Sequence, residues 1–412
     1  MYRLTFERLL TDLYAAYLDA RRHKRRMPYQ QKFEGNLASN LYVLCRELWT
    51  RTYRPRPSTC FIITDPKQRE VFAADFRDRI VHHLYYNYTH ELFERTFIAD
   101  SCSCIKGRGT HYGISRLKDH IRSESRGFTR ECWVMKMDIK GYFMHIDRSR
   151  LLEIATGTLR RLSRREPYAS ALDLDFVLYL TRLIVTLDPL DGCRIAGRPS
   201  DWNGLPDDKS LFKTRPGCGL PIGNLTSQLF SNVYLGEFDR FMKREMGCRH
   251  YGRYVDDSYV VSCDRRWLEG LVPQAETFLR ERLGLELHRG KLRIDNVYTG
   301  VEFVGAFLRP HTTYIARGSL GRLKRGLAAL GRTYAVNLDR PDAKSAGCNE
   351  ANALNYGNAG HIFCSLNSYL GVLSHYDSYN LRQRLFLESP SLEFSRRLGS
   401  YTSDLTKFRL NS

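Results

Sequence analysis

Two acidic features in the middle of the chain have the spacing of reaction chemistry. Asp138 closes the apolar stretch Cys132-Trp-Val-Met-Lys-Met-Asp138 and is followed by Ile139-Lys140-Gly141-Tyr142-Phe143. Roughly 120 residues downstream, Tyr254-Val255-Asp256-Asp257 sits between residues that favour strands. Neighbouring carboxylates on a tight turn repel each other and must lose water together. Divalent cations are the usual reason to hold acids in this way, because hard cations take oxygen ligands. Two such ions about 3.5–4 Å apart can activate a sugar hydroxyl and stabilise a departing pyrophosphate. Chance alone supplies about one Asp-Asp pair in a chain of this composition, and this chain has two. Asp207-Asp208, between Pro206 and Lys209 in a polar stretch, reads as the chance pair. The setting of Asp256-Asp257 among β-formers sets it apart.

The charge points to a partner. Across 412 residues, 64 Lys and Arg face 45 Asp and Glu, a net charge of +19. Such an excess suits a polyanion, whose phosphates release condensed counterions when neutralised. The run Arg21-Arg22-His23-Lys24-Arg25-Arg26 is either a membrane-surface patch or a solvated helix end. The other basic residues are spread along the chain among 25 Tyr and 21 Phe, which favours nucleic acid. Apolar residues at 42% and aromatics at 12% exclude a mainly disordered chain. No apolar run approaches the ~18–20 residues of a bilayer span, and the start lacks an export pattern. The eleven cysteines are scattered, and Cys102-Ser-Cys104 is poorly spaced for tetrahedral zinc. Free thiols in a reducing compartment follow, and a cytoplasmic protein with no membrane partner is expected.

The elements that must position the acids can be read from periodicity. Leu9, Leu10, Leu13, Tyr14 and Leu18, then Leu37, Leu41, Leu44, Cys45 and Leu48, predict two helices within residues 4–50. Tyr53-Arg-Pro-Arg-Pro57 breaks the pattern. Phe61–Thr64 reads as a strand, Asp65-Pro66-Lys67-Gln68 as a turn, and Arg77–Phe97 as a helix. Residues 132–138 read as a strand and 149–162 as a helix. Residues 188–218, rich in Gly, Pro and Asp, read as a long loop or insertion, and 227–246 as a helix. Tyr251–Cys263 is expected to be a hairpin with its acids at the tip. Helix is predicted for 265–285 and a strand for Val301–Leu308. Basic helices are predicted for 317–335 and 366–386, around a loop-like gap at 337–360. There is no internal repeat.

These residues resemble a known family. Asp138-Ile-Lys-Gly-Tyr-Phe143 is similar to the first catalytic motif of reverse transcriptases, and Tyr254-Val-Asp-Asp257 to their Tyr-x-Asp-Asp box. Between them, Gly219-Leu-Pro-Ile-Gly-Asn-Leu-Thr-Ser-Gln228, with Asn232 following, resembles the motif that approaches template and nucleotide. Upstream, Lys67, Arg69 and Asp75-Phe-Arg-Asp-Arg79 look like the fingers segment, and Ser103–Thr110 like the segment after it. Downstream, Leu287-His-Arg-Gly-Lys291 resembles the lysine-bearing motif, and Phe303-Val-Gly305 the primer-gripping hairpin. The ordered resemblance spans about residues 50–310. Where most retroelement enzymes carry Gln-Gly and then Ser-Pro, this chain has Ile222-Gly223 and Ser227-Gln228. That form, with Leu366-Asn-Ser-Tyr-Leu-Gly371 and His375-Tyr-Asp-Ser-Tyr-Asn-Leu-Arg382, resembles the reverse transcriptases of diversity-generating retroelements.

The resemblance implies an α+β right hand with an antiparallel palm sheet and a helical thumb. It divides the chain into an N-terminal helical extension (1–50), fingers (51–130), palm (131–310, with an insertion at about 188–218) and a basic thumb (311–412). Asp138, Asp256 and Asp257 would bind two Mg²⁺, for which Mn²⁺ could substitute, with the Ile139 carbonyl an extra ligand. Lys291 would neutralise or protonate the leaving pyrophosphate. Lys67 and Arg69 would hold the triphosphate, Phe143 would exclude a ribose 2′-hydroxyl, and Ile222 and Gly223 would shape the nucleotide site. Arg77, Arg79, Ser227, Gln228, Tyr254, Phe303 and Gly305 would meet template and primer. The implied activity is an RNA-directed DNA polymerase (a nucleotidyltransferase) copying a template-repeat RNA from deoxynucleoside triphosphates and miscopying its adenines. The implied partners are that RNA, its RNA/cDNA duplex and a small basic oligomeric accessory protein, in a bacterial or phage-encoded setting. The alternatives are a defence-associated or group II intron-like reverse transcriptase and, from another class, a non-catalytic RNA-binding scaffold.

Overall fold

The computed structural model describes residues 3–22, 27–64, 67–338 and 356–410. Residues 23–26 of the basic run, the Asp65-Pro66 half of the expected turn, and 339–355 of the loop-like gap lie outside the described residues. The protein is mixed α+β with antiparallel sheets. It divides into two compact units: residues 1–120 with 135–294, and residues 121–134 with 295–412.

The first unit opens with three helices where periodicity predicts two: α1 (Phe6–Ala20), α2 (Pro28–Glu34) and α3 (Leu37–Trp49). Pro28 stands in the first turn of α2, where its missing N–H is no loss. Strands β1 (Thr59–Ile63) and β2 (Arg69–Ala73) form an antiparallel hairpin. Helix α4 (Phe76–Glu94) is capped by the Asp75 carboxylate, which accepts from the Arg77 N–H. Next come α5 (Thr110–Glu124), β3 (Trp133–Met137), the short α6 (Tyr142–His145), α7 (Arg148–Leu162), α8 (Tyr168–Ala171) and α9 (Leu174–Thr186).

The stretch 188–218 is mostly loop, as expected, but Arg194–Ile195 forms β4, parallel to β1. A buried acid pins this loop: the Glu70 carboxylate accepts from Trp202 Nε1 (2.7 Å), Ser210 Oγ (2.8 Å) and the Leu211 N–H (2.6 Å). Helix α10 (Leu225–Arg240) is buried over most of its surface, which marks it as the core of the unit. It continues as a wider turn over Phe241–Glu245. Strands β5 (Tyr251–Tyr254) and β6 (Asp257–Ser262) pair antiparallel, followed by α11 (Arg265–Phe278) and β7 (Arg293–Asn296). The sheet order is β5-β6-β3-β7.

In the second unit, β8 (Val301–Phe303), β9 (Ala306–Arg309) and β10 (Thr312–Ile315) form an antiparallel sheet. The single strand expected over 301–308 is therefore two, because the chain turns at Val304 (φ +39°) and Gly305 (φ +88°). β10 pairs with β9 through Thr313↔Leu308, on the two sides of residue 311. Helix α12 (Arg317–Leu338) and the helix Tyr356–Ser374 pack around Leu323, Leu327, Leu366, Leu370 and Phe386. The helix expected over 366–386 breaks after Ser374 and resumes at Tyr379–Arg382 and Gln383–Leu387. A small hairpin, Gly399–Tyr401 with Phe408–Leu410, follows.

Candidate active site

The β5–β6 hairpin carries two acids at its tip, as the sequence predicts. Tyr254 pairs with Asp257, leaving Val255 and Asp256 in the turn. Val255 has φ +57°, an uncommon conformation for a β-branched residue, so the surroundings must hold it. The Val255 N–H donates to Ser103 Oγ (2.8 Å), and its carbonyl accepts from Arg253 Nη1 (2.7 Å). Arg253 is fully buried, and its Nε and Nη2 each donate to the Asp239 carboxylate at 2.7 Å. Asn232 Oδ1 accepts from Arg253 Nη1 at 3.1 Å, and Asn232 Nδ2 donates to the Ser103 carbonyl at 2.7 Å. The chain at Ser101 runs parallel to Arg253, with the Arg253 N–H donating to the Asp100 carbonyl. Gly252 admits no side chain, because a Cβ there would lie 2.4 Å from the Tyr259 hydroxyl.

Asp138 follows β3, and its carbonyl accepts from the His288 N–H at 2.8 Å. The Lys140 N–H donates to the Glu286 carbonyl, so the segment bearing Lys291 lies along the first motif. Lys291 Nζ is 2.9 Å from both Asp138 carboxylate oxygens. Asp257 lies near enough to Asp138 for the two carboxylates to act on each other's charge. Burial, then the charges of Asp256 and Asp138, push the Asp257 carboxyl up to about 7. Burial and Asp138 also raise Asp256. Burial works against the charge of Lys291, but its bond to Asp138 and the three acids outweigh that and hold it above its ordinary value.

Three acids from remote stretches thus crowd together with one ammonium. Among the described residues, no three His, Cys, Asp or Glu side chains are drawn up around a point that could hold a metal ion as they stand. Asp138 is turned to Lys291 instead. The donor set still fits a hard divalent cation: it is all carboxylate, and Asp256 and Asp257 are raised first by burial and then by their acidic neighbours, both of which a bound cation would offset.

The remaining predicted residues fall into separate groups. Ile222 and Gly223 pack against β2: the Phe72 N–H donates to the Ile222 carbonyl at 2.8 Å. A Cβ on Gly223, at φ +122°, would meet the Phe72 carbonyl oxygen at 2.9 Å. The Ile222 and Phe143 side chains lie on an apolar cluster of Cys60, Phe72, Met144 and Leu211. Gly141, at φ +53°, is needed because the Asp208 carbonyl would sit 2.5 Å from a Cβ. Ile139 is buried, bridged to Leu287. Lys67 and Arg69 are exposed beside and on β2. Ser227 is buried and Gln228 exposed on α10.

Arg77, expected at the template, lies in the wall of the fold beside Glu47 and Tyr53. It is buried and paired with Glu47, and its guanidinium carbon lies 4.9 Å from the centre of the Tyr53 ring. Arg79 donates to the Ala74 carbonyl (2.9 Å) and to the Tyr29 hydroxyl (3.2 Å). Phe303 and Gly305 belong to the second unit. The residues that sequence reasoning missed are Arg253 and Asp239. Arginine is rarely fully buried, and the one available signal was its place directly before the Tyr-Val-Asp-Asp box.

No family model matches the chain. The chain is 24% identical over 306 residues to Protein YkfC of Escherichia coli K12, an alignment spanning 66% of this chain and 72% of that protein. Among solved structures it is similar to telomerase from Candida albicans bound to a fragment of telomeric RNA, with a TM-score of 0.44 and 11% identity over 83% of this chain and 63% of that one. It is also similar to apo telomerase from Candida tropicalis, with a TM-score of 0.45 and 10% identity over 80% of this chain and 58% of that one. The chain therefore spans less than two thirds of those telomerase chains. Among the described residues, no helix is long and apolar enough to cross a membrane.

Proposed function

We propose that the protein is an RNA-directed DNA polymerase with the architecture of a right hand, and that it serves a diversity-generating retroelement. One observation carries the catalytic reading: Asp138, Asp256 and Asp257, remote in sequence, share one electrostatic site with Lys291. In that reading Asp138, Asp256, Asp257 and the Ile139 carbonyl hold Mg²⁺, which when bound activates the primer hydroxyl and neutralises the departing pyrophosphate. The primer 3′-hydroxyl gives its proton to solvent as its oxygen attacks the α-phosphorus of a deoxynucleoside triphosphate. The bond to the bridging oxygen breaks, and pyrophosphate leaves. Lys291 donates a proton to that leaving group. Lys67 and Arg69, both exposed, pair with the triphosphate. The half-buried Phe143 crowds the position of a ribose 2′-hydroxyl. The +19 charge suits a template RNA and its cDNA duplex. The retroelement reading adds a template-repeat RNA and a small basic accessory protein, and rests on Ile222-Gly223, Ser227-Gln228 and the tail around Tyr379.

Primed cDNA synthesis on a homopolymer RNA tests the catalytic core, with the cognate RNA and accessory subunit supplied if the isolated chain is slow. The Asp256→Asn, Asp257→Asn double variant is expected to lose extension by a factor of at least ~10³ while still binding RNA. Extension that persists in the double variant would end the reading.

A further inference from the structure

We propose that the second unit carries a cleft for an unpaired nucleotide of a nucleic-acid strand, built from Tyr314, Tyr379, Arg382 and Arg384. This rests on the nucleic-acid reading above and adds a binding site made of other residues. The cleft has a volume of about 700 Å³ and is lined by β10, the first turn of α12 and residues 376–384, all within that unit. Such a volume suits one or two nucleotides and not a duplex.

Tyr314 and Tyr379 line the cleft, and they are 42% and 46% exposed. Open tyrosine faces are the platforms on which splayed bases stack. Arg382 is 8% exposed, and its Cζ lies 6.0 Å from the centre of the Tyr379 ring. Its Nη1 donates to the Leu405 carbonyl at 3.2 Å, but its Nε has no hydrogen-bond partner. Buried polar groups normally find partners, so a guanidinium left short behind the cleft wall keeps charge that the fold does not fully offset, which favours an anion such as a phosphate in the cleft. Arg384 lines the same cleft and is exposed. Asp377, the acid among the lining residues, is committed to the backbone: its carboxylate accepts from the Thr313 N–H at 2.7 Å. The net charge of the lining therefore favours an anion. Stacking faces beside guanidinium donors distinguish a single strand, whose bases are free, from a duplex, which offers mainly phosphates.

Fluorescence polarisation of the full chain tests this, using a short labelled single-stranded RNA, a duplex RNA of equal length and free ribonucleoside monophosphate as competitor, without deoxynucleoside triphosphates. Tyr314→Ala and Tyr379→Ala are each expected to weaken single-strand binding about 5- to 100-fold while duplex affinity moves less than about twofold. Arg384→Gln should lower the slope of log affinity against log salt by about one. Competition by the monophosphate would assign the cleft to a single nucleotide, and competition by the strand alone to a chain; both support the proposal. Single-strand affinity unchanged in a natively folded Tyr314→Ala, Tyr379→Ala double variant would overturn it. Because no synthesis takes place, loss of the catalytic reading would leave this measurement standing, and the reverse also holds.

Discussion

Ile222 is where one side chain separates this site from the common form of its motif. Its carbonyl is held by the Phe72 N–H, so the backbone position is set by the β2 strand whatever the side chain. The side chain lies on the apolar cluster with Phe143, Met144 and Leu211. Under the proposed function, a glutamine in that place could hydrogen-bond around an incoming nucleotide, whereas isoleucine offers only shape. Polar readout of this kind is worth about 1–3 kcal/mol of discrimination. Ile222→Gln is therefore expected to lower misincorporation opposite template adenine about 5- to 100-fold. Sequencing cDNA from both enzymes checks it, and an identical error spectrum would remove Ile222 from the account. The identity of this residue was legible in the sequence. Its neighbours were not, because Phe72 and Leu211 come from a strand and a loop on either side of the Asp138 segment.

At the scale of elements, the β5–β6 hairpin is the part that the sequence foretold best and explained least. Alternating apolar residues and the acid pair were enough to place it. What holds its tip is a buried network in which Arg253 of β5 is joined by Asn232 and Asp239 of α10 and by Ser103 of the segment after α4. No periodicity announces an arginine turned inward. Helix α9 was missed for a different reason. Its sequence, Leu174-Asp-Phe-Val-Leu-Tyr-Leu-Thr-Arg-Leu-Ile-Val-Thr186, is rich in residues that also suit strands, and the signal of its helical start is one capping bond, which the Asp173 carboxylate accepts from the Phe176 N–H. The network makes a clear prediction. Arg253→Gln leaves the buried Asp239 without its charge partner and should cost about 3–5 kcal/mol of stability. Arg253→Lys should recover only part of it, since an ammonium cannot make the two parallel bonds. Urea unfolding measures both, and a Gln variant as stable as the parent would show that the tip stands without the pair.

At the scale of the whole molecule, the composition announced a basic protein but not how the fold responds to acid. His120 is buried with Asp100 at 3.6 Å, Arg116 at 3.4 Å, the His250 ring at 5.1 Å and the Tyr259 hydroxyl at 3.2 Å. Burial lowers its pKa to about 4: Asp100 pulls the other way, and His250, Lys243 and Arg116 push it further down. His82, bonded to Thr226 Oγ1 at 2.8 Å, is likewise lowered to about 4 by burial, His83 and Arg79. Both pKa values lie below the ~6.5 of an unfolded histidine, so the unfolded chain binds more protons between those limits. Stability is then fully present above pH ~6.5 and is lost as pH falls towards 4, by at most about 1.4 kcal/mol per pH unit for each proton. Asp257 runs the other way, because its raised carboxyl favours the folded state at low pH. The wild-type slope is therefore a sum, and variants are needed to separate it. Denaturant midpoints at pH 5 and pH 7 should differ less in His120→Gln, and less again with His82→Gln added, than in the parent. Equal differences in all three proteins would mean that these histidines take up their protons in the folded state as readily as in the unfolded chain.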